Sequence, residues 1–319
     1  MMSVLAMAVP FIPCLRSSVP AARAALIALV CVGLLLAPVT LHETGRAFRA
    51  WWDFSHVPAL AIITGCLLAA GRHVRIADRG LLAAWLAMLL LPPALEGLQG
   101  FSAGREQHLA DIAYGWTGCL IGGLWFTGQG AARRLAGLAA LLAAGYPAAI
   151  TLDAARVHRM FPVLSSFDSP LEATRWRIHG CDVRQTDGWD ITICDEVAYP
   201  GVILDDERRN WSAATDLCVS AFLPGSEPLD MTVVIDDAPG IQAYENRFQR
   251  RFTLRPGSNL IRIERAWFGL TTGGRPMNLQ AIAGLGLYFN RDDAGRRVRL
   301  HDVFLTMPDD TPPAIRAEP

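Results

Sequence analysis

Residues 176–194 read WRIHGCDVRQTDGWDITIC, two runs of alternating apolar and polar residues parted by Asp187-Gly188. Alternation with a period of two puts every second side chain on one face, as a half-buried strand requires. Asp-Gly between two such runs is what a two-residue type I′ turn prefers, so the stretch predicts a β-hairpin. With Thr186 facing Trp189 across the turn, counting outward sets Cys181 directly opposite Cys194. That pair falls on a non-hydrogen-bonded site, where Cα atoms approach to about 4.5 Å and a disulfide is geometrically possible. The spacing therefore predicts a Cys181–Cys194 disulfide, the alternative being a pair of small buried thiols.

Downstream, short runs of the same character recur over residues 201–204, 216–223, 231–236, 249–254, 259–265, 282–290 and 298–307, after 176–183 and 189–197. Pro-Gly, Asp-Asp and Gly-Gly signals divide them. Strands of this length and spacing predict an antiparallel β-sandwich over residues 176–307. Residues 308–319 read as a Pro- and Asp-rich disordered tail. Upstream, Pro162, a cluster of serines and Pro170 mark residues 153–175 as a linker.

Residues 1–152 have a different character. Apolar runs over 24–41, 57–71, 80–97, 109–126 and 135–152 approach the roughly 20 residues that a helix needs to cross a bilayer, which predicts a bundle of about five transmembrane helices. The first is kept as a helix rather than a cleaved signal peptide because no small-x-small cleavage site follows it. With a cytoplasmic N-terminus, the inner segments carry Arg16, Arg23, Arg72, Arg75, Arg79, Arg133 and Arg134, against Arg46, Arg49, Arg105, Arg156 and Arg159 outside. That bias agrees with the positive-inside rule. An odd number of spans delivers the sandwich outside, which predicts a multi-pass protein of a bacterial inner membrane with a periplasmic or extracellular C-terminal domain.

Charge and composition exclude several classes. The chain of 319 residues has a net charge of −1, so no basic excess exists to bind nucleic acid by bulk charge. All 29 basic residues are arginine, which excludes Schiff-base chemistry and a P-loop lysine. No His/Cys spacing supports zinc, no Gly-rich loop supports a nucleotide, and no Gly-x-Ser-x-Gly elbow supports a serine hydrolase. Asp236-Asp237 and Asp292-Asp293 offer oxygens to calcium, but paired aspartates at these positions read as turn chemistry. No cofactor or metal is expected. Five helices with no internal repeat and no charge at mid-membrane do not favour transport.

Ionisable groups at membrane depth are costly and mark function or tight pairing. In this topology Asp53 and His56 open the second helix, Glu96 and Gln99 close the third, Arg105 lies in the next loop and Asp111 begins the fourth. All six face the outer leaflet. Pro92-Pro93 predicts a kink just before Glu96, and Gly115, Gly118 and Gly122 let a neighbouring helix come close. The run Glu96-x-x-Gln99-x-Phe101, Gly104-Arg105, then Asp111 with Gly118 and Gly122, preceded by Asp53 and His56, resembles the VanZ-like membrane family, with Gly115 where that family usually has asparagine. The resemblance covers residues 24–130. It implies a link to glycopeptide antibiotic resistance and a cell-envelope role. On the residues themselves, Arg105 could clamp a phosphate of a lipid-linked precursor while His56 or Glu96 moves a proton; the alternative is a structural ion-pair network.

In the second half, Tyr199-Pro200-Gly201, Trp211, Ile235-Asp236-Asp237, Arg247-Phe248, Leu254-x-Pro256-Gly257-x-Asn259 and the closing strand 300–305 resemble, in their order, carbohydrate-binding modules of the galactose-binding-like jelly-roll group. The resemblance implies a glycan-binding sandwich. Sugar rings offer apolar C–H faces, so Trp189, Trp211, Tyr244 and Trp267 are candidate platforms, with Arg247 and Asp237 as polar partners. These residues admit two readings. One is an envelope enzyme acting on a lipid-linked precursor, with the sandwich as glycan anchor. The other is a non-catalytic protein, anchored in the lipid bilayer, whose sandwich recognises polysaccharide or a partner during envelope assembly or export.

Overall fold

A computed structural model describes residues 27, 30, 31, 45–99, 109–204, 210–237 and 243–308. The chain divides into two compact units, Met1–Thr151 and Leu152–Pro319. Arg105, most of the first apolar run and most of the tail lie outside the described residues.

The first unit is helical: α1 (Arg46–Phe54), α2 (His56–His73), α3 (Asp78–Met88), α4 (Leu91–Gln99), α5 (Leu109–Thr127) and the start of α6 (Ala131–Met160). Among the described residues, three helical stretches are long and apolar enough to cross a membrane: Arg46–His73, Asp78–Leu98 and Ala131–Met160. They take in the second, third and fifth runs read from the sequence; the fourth forms α5, which is not one of the three, so a count of five spans is not reached.

The break between α3 and α4 follows from Pro92-Pro93. Neither proline has an N–H to give the carbonyl four residues back, which orphans Met88 O and Leu89 O. Side chains of α5 take both: Cys119 Sγ donates to Met88 O at 3.5 Å and Trp116 Nε1 to Leu89 O at 2.8 Å. Gly118 and Gly122 of α5 meet backbone. A Cβ on Gly118 would lie 2.4 Å from Val57 O, and one on Gly122 2.5 Å from Ala61 O, so α5 presses directly on α2. Gly115 faces Pro92 and Leu60, where a Cβ would sit 2.6 Å from Pro92 Cβ. No asparagine side chain fits there.

The second unit is a two-sheet antiparallel sandwich. Its strands are β1 (Val163–Ser165), β2 (Trp176–His179), β3 (Cys181–Thr186), β4 (Gly188–Ile193), β5 (Gly201–Leu204), β6 (Asp216–Leu223), β7 (Leu229–Asp236), β8 (Phe248–Leu254), β9 (Gly257–Glu264), β10 (Gly284–Tyr288) and β11 (Arg297–Thr306). One sheet runs β3-β4-β11-β6-β9 with β1 also on β11, and the other β2-β5-β10-β7-β8. The stretch expected to be a linker is structured: α6 continues to Met160 and β1 joins the first sheet.

Two features of residues 176–194 differ from the sequence reading. The run 176–183 is two strands in different sheets, because Gly180 adopts φ +60 and turns the chain from β2 into β3. The hairpin register is also one residue tighter. Gly188, at φ +119, pairs with Thr186 as the first residue of β4, leaving Asp187 alone at the apex. Every pair shifts accordingly, so Cys181 stands opposite Ile193, and Cys181 and Cys194 are both free thiols. Burial pushes the Cys181 thiol up to about 12, further from the reactive thiolate.

The core between the sheets takes the alternate residues of each strand, among them Trp189, Ile191, Val202, Leu204, Leu217, Val219, Met231, Val233, Leu285, Leu287 and Val298. Fully burying each such side chain contributes about 1.5–3 kcal/mol. Trp176, Trp189 and Phe167 form an aromatic cluster with centroids 5.1–6.0 Å apart. Beside it Glu172, 3% exposed, accepts from Ser165 Oγ at 2.6 Å and Arg175 Nη1 at 3.2 Å, while Trp176 Nε1 donates to Ser165 Oγ at 3.0 Å.

Candidate functional site

In the helical unit, three of the residues read as a polar cluster come together. His56 at the start of α2, Glu96 in α4 and Asp111 in the first turn of α5 are each at least nine-tenths buried, and one side-chain N or O atom from each lies within 4.8 Å of the other two. His56 Nδ1 stands 3.8 Å from Asp111 Oδ1 and 2.9 Å from the carbonyl of Asp53, so Asp53 joins through its backbone. Gln99 ends α4, but its side chain, like the whole of Arg105, lies outside the described residues. Three helices thus bring one imidazole and two carboxylates together in a buried site. Such a set can exchange a proton or hold a cation.

In the sandwich, the four aromatic candidates do not share a surface. Trp189 and Trp211 are 1% and 0% exposed and belong to the core, which corrects the reading of either as a sugar platform. Tyr244 is 53% and Trp267 41% exposed, but Trp267 carries the Arg250 guanidinium 3.4 Å over its ring. Asp237 is consumed by a loop clamp, accepting from Arg275 Nη1 and Nη2 at 2.8 Å each and from Asn278 N at 2.7 Å. That pairing holds its carboxyl below the usual range. A cleft of about 630 Å³ beside Asp216 is similarly committed, because Asp216 Oδ2 already accepts from Arg262, Thr215 and Thr306.

The outer face of the β2-β5-β10-β7-β8 sheet is different. Since Val202, Leu285, Val233 and their alternates point into the core, the other residues of each strand point away from it. Register then sets two rows across the strands: Arg177, Ile203, Gly286, Val234, Gln249, and His179, Gly201, Tyr288, Thr232, Arg251. Beyond them come Gly284 beside Asp236, and Asp230 beside Thr253.

The glycines explain the centre of this face. A Cβ on Gly286 would lie 2.3 Å from Tyr288 Cε2, and one on Gly201 2.9 Å from Tyr288 Cδ1. The tyrosine ring therefore lies over Gly286 and against Gly201, and Tyr288 is partly exposed. Arg247, the one expected polar partner that reaches this side, is braced against Gln249 Oε1 by Nε at 3.0 Å and Nη2 at 2.7 Å. Asp236 is half-buried, and burial pushes its carboxyl up to about 6 despite Arg247 nearby. Sequence reasoning missed Tyr288. The signal was Gly284-Leu-Gly-Leu-Tyr288, where both outward positions before the tyrosine lack a side chain.

No protein-family model matches the chain, so the VanZ-like resemblance has no matching model behind it, and no curated protein sequence matches. Among solved structures, the chain is similar to the agarase AgWH50C at 14% identity and TM-score 0.36, covering 46% of this chain and 24% of that one. It is similar to the family 11 carbohydrate-binding module of cellulosomal cellulase Lic26A-Cel5E of Clostridium thermocellum at 11% identity and TM-score 0.35, covering 46% and 93%. A third is CBM29_1, a family 29 carbohydrate binding module from Piromyces equi, at 10% identity and TM-score 0.30, covering 44% and 86%. This chain spans about a quarter of the agarase's length.

Proposed function

We propose that the protein is a glycan-binding protein of the cell envelope, held in the bilayer by its helical unit and binding polysaccharide on the outer face of the β2-β5-β10-β7-β8 sheet. The observation that carries this is the Tyr288 ring laid over Gly286 and against Gly201, with Arg177, Thr232, Gln249 and Arg247 around it. Sugars need that combination: an apolar ring face to stack on and hydrogen-bonding groups at its margin. The membrane reading is supported by three helical stretches of sufficient length and by leucines such as Leu82, Leu86, Leu138 and Leu141 exposed on the helical unit. The arginine bias, counted on the expected five spans, supports an orientation with the sandwich outside the cytoplasm. The test is affinity electrophoresis of the full chain, purified in detergent, through gels containing envelope polysaccharides. Retardation by at least one glycan, lost in Tyr288→Ala with its fold intact, supports the proposal; equal migration through all of them refutes it.

A second reading has its own observation, the convergence of His56, Glu96 and Asp111. It makes the helical unit a modifier of a lipid-linked envelope precursor, in keeping with the VanZ-like resemblance. Incubation of the purified chain with an undecaprenyl phosphate or its sugar-linked form tests it: turnover lost in Glu96→Gln and Asp111→Asn supports chemistry, and no turnover leaves the cluster a structural tie between helices.

A further inference from the structure

The charges along the edge of the proposed glycan face are not evenly spread. Residues 247–255 read RFQRRFTLR, four arginines with no acid, and they form β8, the last strand of its sheet, with its flanks. Arg251 points outward from the sheet with its side chain 71% exposed, and its carboxylate neighbour Asp230 is 3.8 Å away and 44% exposed. A pair so long and so wet is worth little and leaves the guanidinium available. Arg247 is braced on the same side by Gln249. Arg250 leaves the strand on the other side and stacks on Trp267. At the far margin of the face, on β2, Arg177 is exposed. The acids among the described residues of this face are Asp230 and Asp236, the second half-buried.

Arginine as a residue type carries no information in a chain without lysine; its placement does. From residue 151 onward the chain holds nineteen arginines against twenty-four acids, so a cationic edge reverses the sign of the domain around it. Arg247 and Arg251 stand four residues apart on one side of an extended strand, roughly 13 Å. A line of guanidinium groups, Arg247 braced and Arg251 open to solvent, beside a tyrosine ring matches anionic groups repeated along a stacked polymer, and a guanidinium can take a carboxylate or sulfate in bidentate fashion.

We infer that the glycan bound on this face is acidic, a polysaccharide bearing carboxylate, sulfate or phosphate groups, with its sugar rings over Tyr288 and its anions along β8. This rests on the glycan-binding reading above and narrows it to a substrate class. An anionic lipid surface is the competing partner for a basic edge. It is less favoured because the Trp267 ring, which would enter the lipid, already carries Arg250.

The experiment measures binding of the full chain in detergent to polygalacturonate, alginate and dextran sulfate, beside neutral β-glucan, agarose, and vesicles with and without phosphatidylglycerol. The expected result is preference for an acidic polymer, weakening as ionic strength rises. The exposed-site variants Arg251→Ala and Arg251→Glu, and the double variant Arg247→Ala/Arg251→Ala, should each reduce binding, the double by about tenfold or more. Binding of neutral glycans as tight as that of acidic ones, or no loss in Arg251→Glu, overturns the acidic assignment and leaves the glycan face standing. No glycan binding at all, with or without capture by anionic vesicles, overturns both.

Discussion

Gly118 and Gly122 in the helical unit and Gly286 in the sandwich make room for different things. In the helical unit Gly118 and Gly122 admit a neighbouring backbone, with Val57 O and Ala61 O where a Cβ would go. In the sandwich Gly286 admits a side chain, the Tyr288 ring at 2.3 Å, which covers the sheet face, while Gly201 meets the Leu287 carbonyl at 2.4 Å before it meets the ring at 2.9 Å. The difference teaches how to read a glycine-rich stretch. Spacing of about one helical turn means close packing; spacing of two in a strand that ends on an aromatic means a ring lying flat.

Buried charge separates the units further. The sandwich answers its buried Arg175 with Glu172, hydrogen-bonded to Ser165, and breaking that set should give the largest stability loss of any change considered. Glu172→Ala removes the carboxylate from a buried guanidinium and should cost about 3–5 kcal/mol, read as a drop in the sandwich's unfolding midpoint. Gly118→Ala should come next, at about 1–3 kcal/mol, because the obstacle is backbone that cannot rotate aside. Gly137, where an added Cβ would meet nothing within 4 Å, is the control. There alanine should stabilise α6 by about 0.5–1 kcal/mol, and a comparable loss at both positions would end the close-packing account of Gly118.

Gly286→Ala probes the other use of glycine. A ring can swing away where a carbonyl cannot, so stability should fall by no more than about 1 kcal/mol, while retardation on glycan gels falls sharply because Tyr288 no longer lies flat. Unchanged glycan binding in that variant would separate the ring from the ligand.

A further effect is one of pH. The Asp236 carboxyl, held at about 6 by burial, exceeds its ordinary value of about 3.9. The fold therefore holds this proton more tightly than the unfolded chain does. The stabilisation is complete below about pH 4 and is lost as pH climbs through about 6. Asp236→Asn should lack that decline, so its midpoint relative to the parent should be higher at pH 7.5 than at pH 4; the reverse trend would show that another group governs the profile.

Much of this architecture was legible in the residues. Strands β6, β7, β8, β9 and β11 lie within two residues of the positions that alternation predicts, because the core takes alternate residues of each. What alternation cannot convey is which sheet a strand joins. Gly180 sends two halves of one apparently continuous run to different sheets through a single positive φ. The same blindness moved the hairpin register by one residue and with it the expected disulfide. In the helical unit, the convergence of His56, Glu96 and Asp111 was readable from their positions at helix ends. In the sandwich, large aromatics attracted attention by size, yet Trp189 and Trp211 were drawn into the core by that same size. The flat tyrosine was visible only through the residues that were missing beside it.

The edge position of β8 has one more consequence. A terminal strand exposes a row of unsatisfied N–H and C=O groups, which can template a strand from another molecule and begin aggregation. Arg247, Arg250, Arg251 and Arg255 set like charges against any second copy approaching that edge in register. The row that would greet an acidic polymer thus also acts as a gatekeeper for colloidal stability. Neutralising it for the sake of a binding experiment would leave the protein prone to self-association, and a polymer bound there would shield the edge in its place.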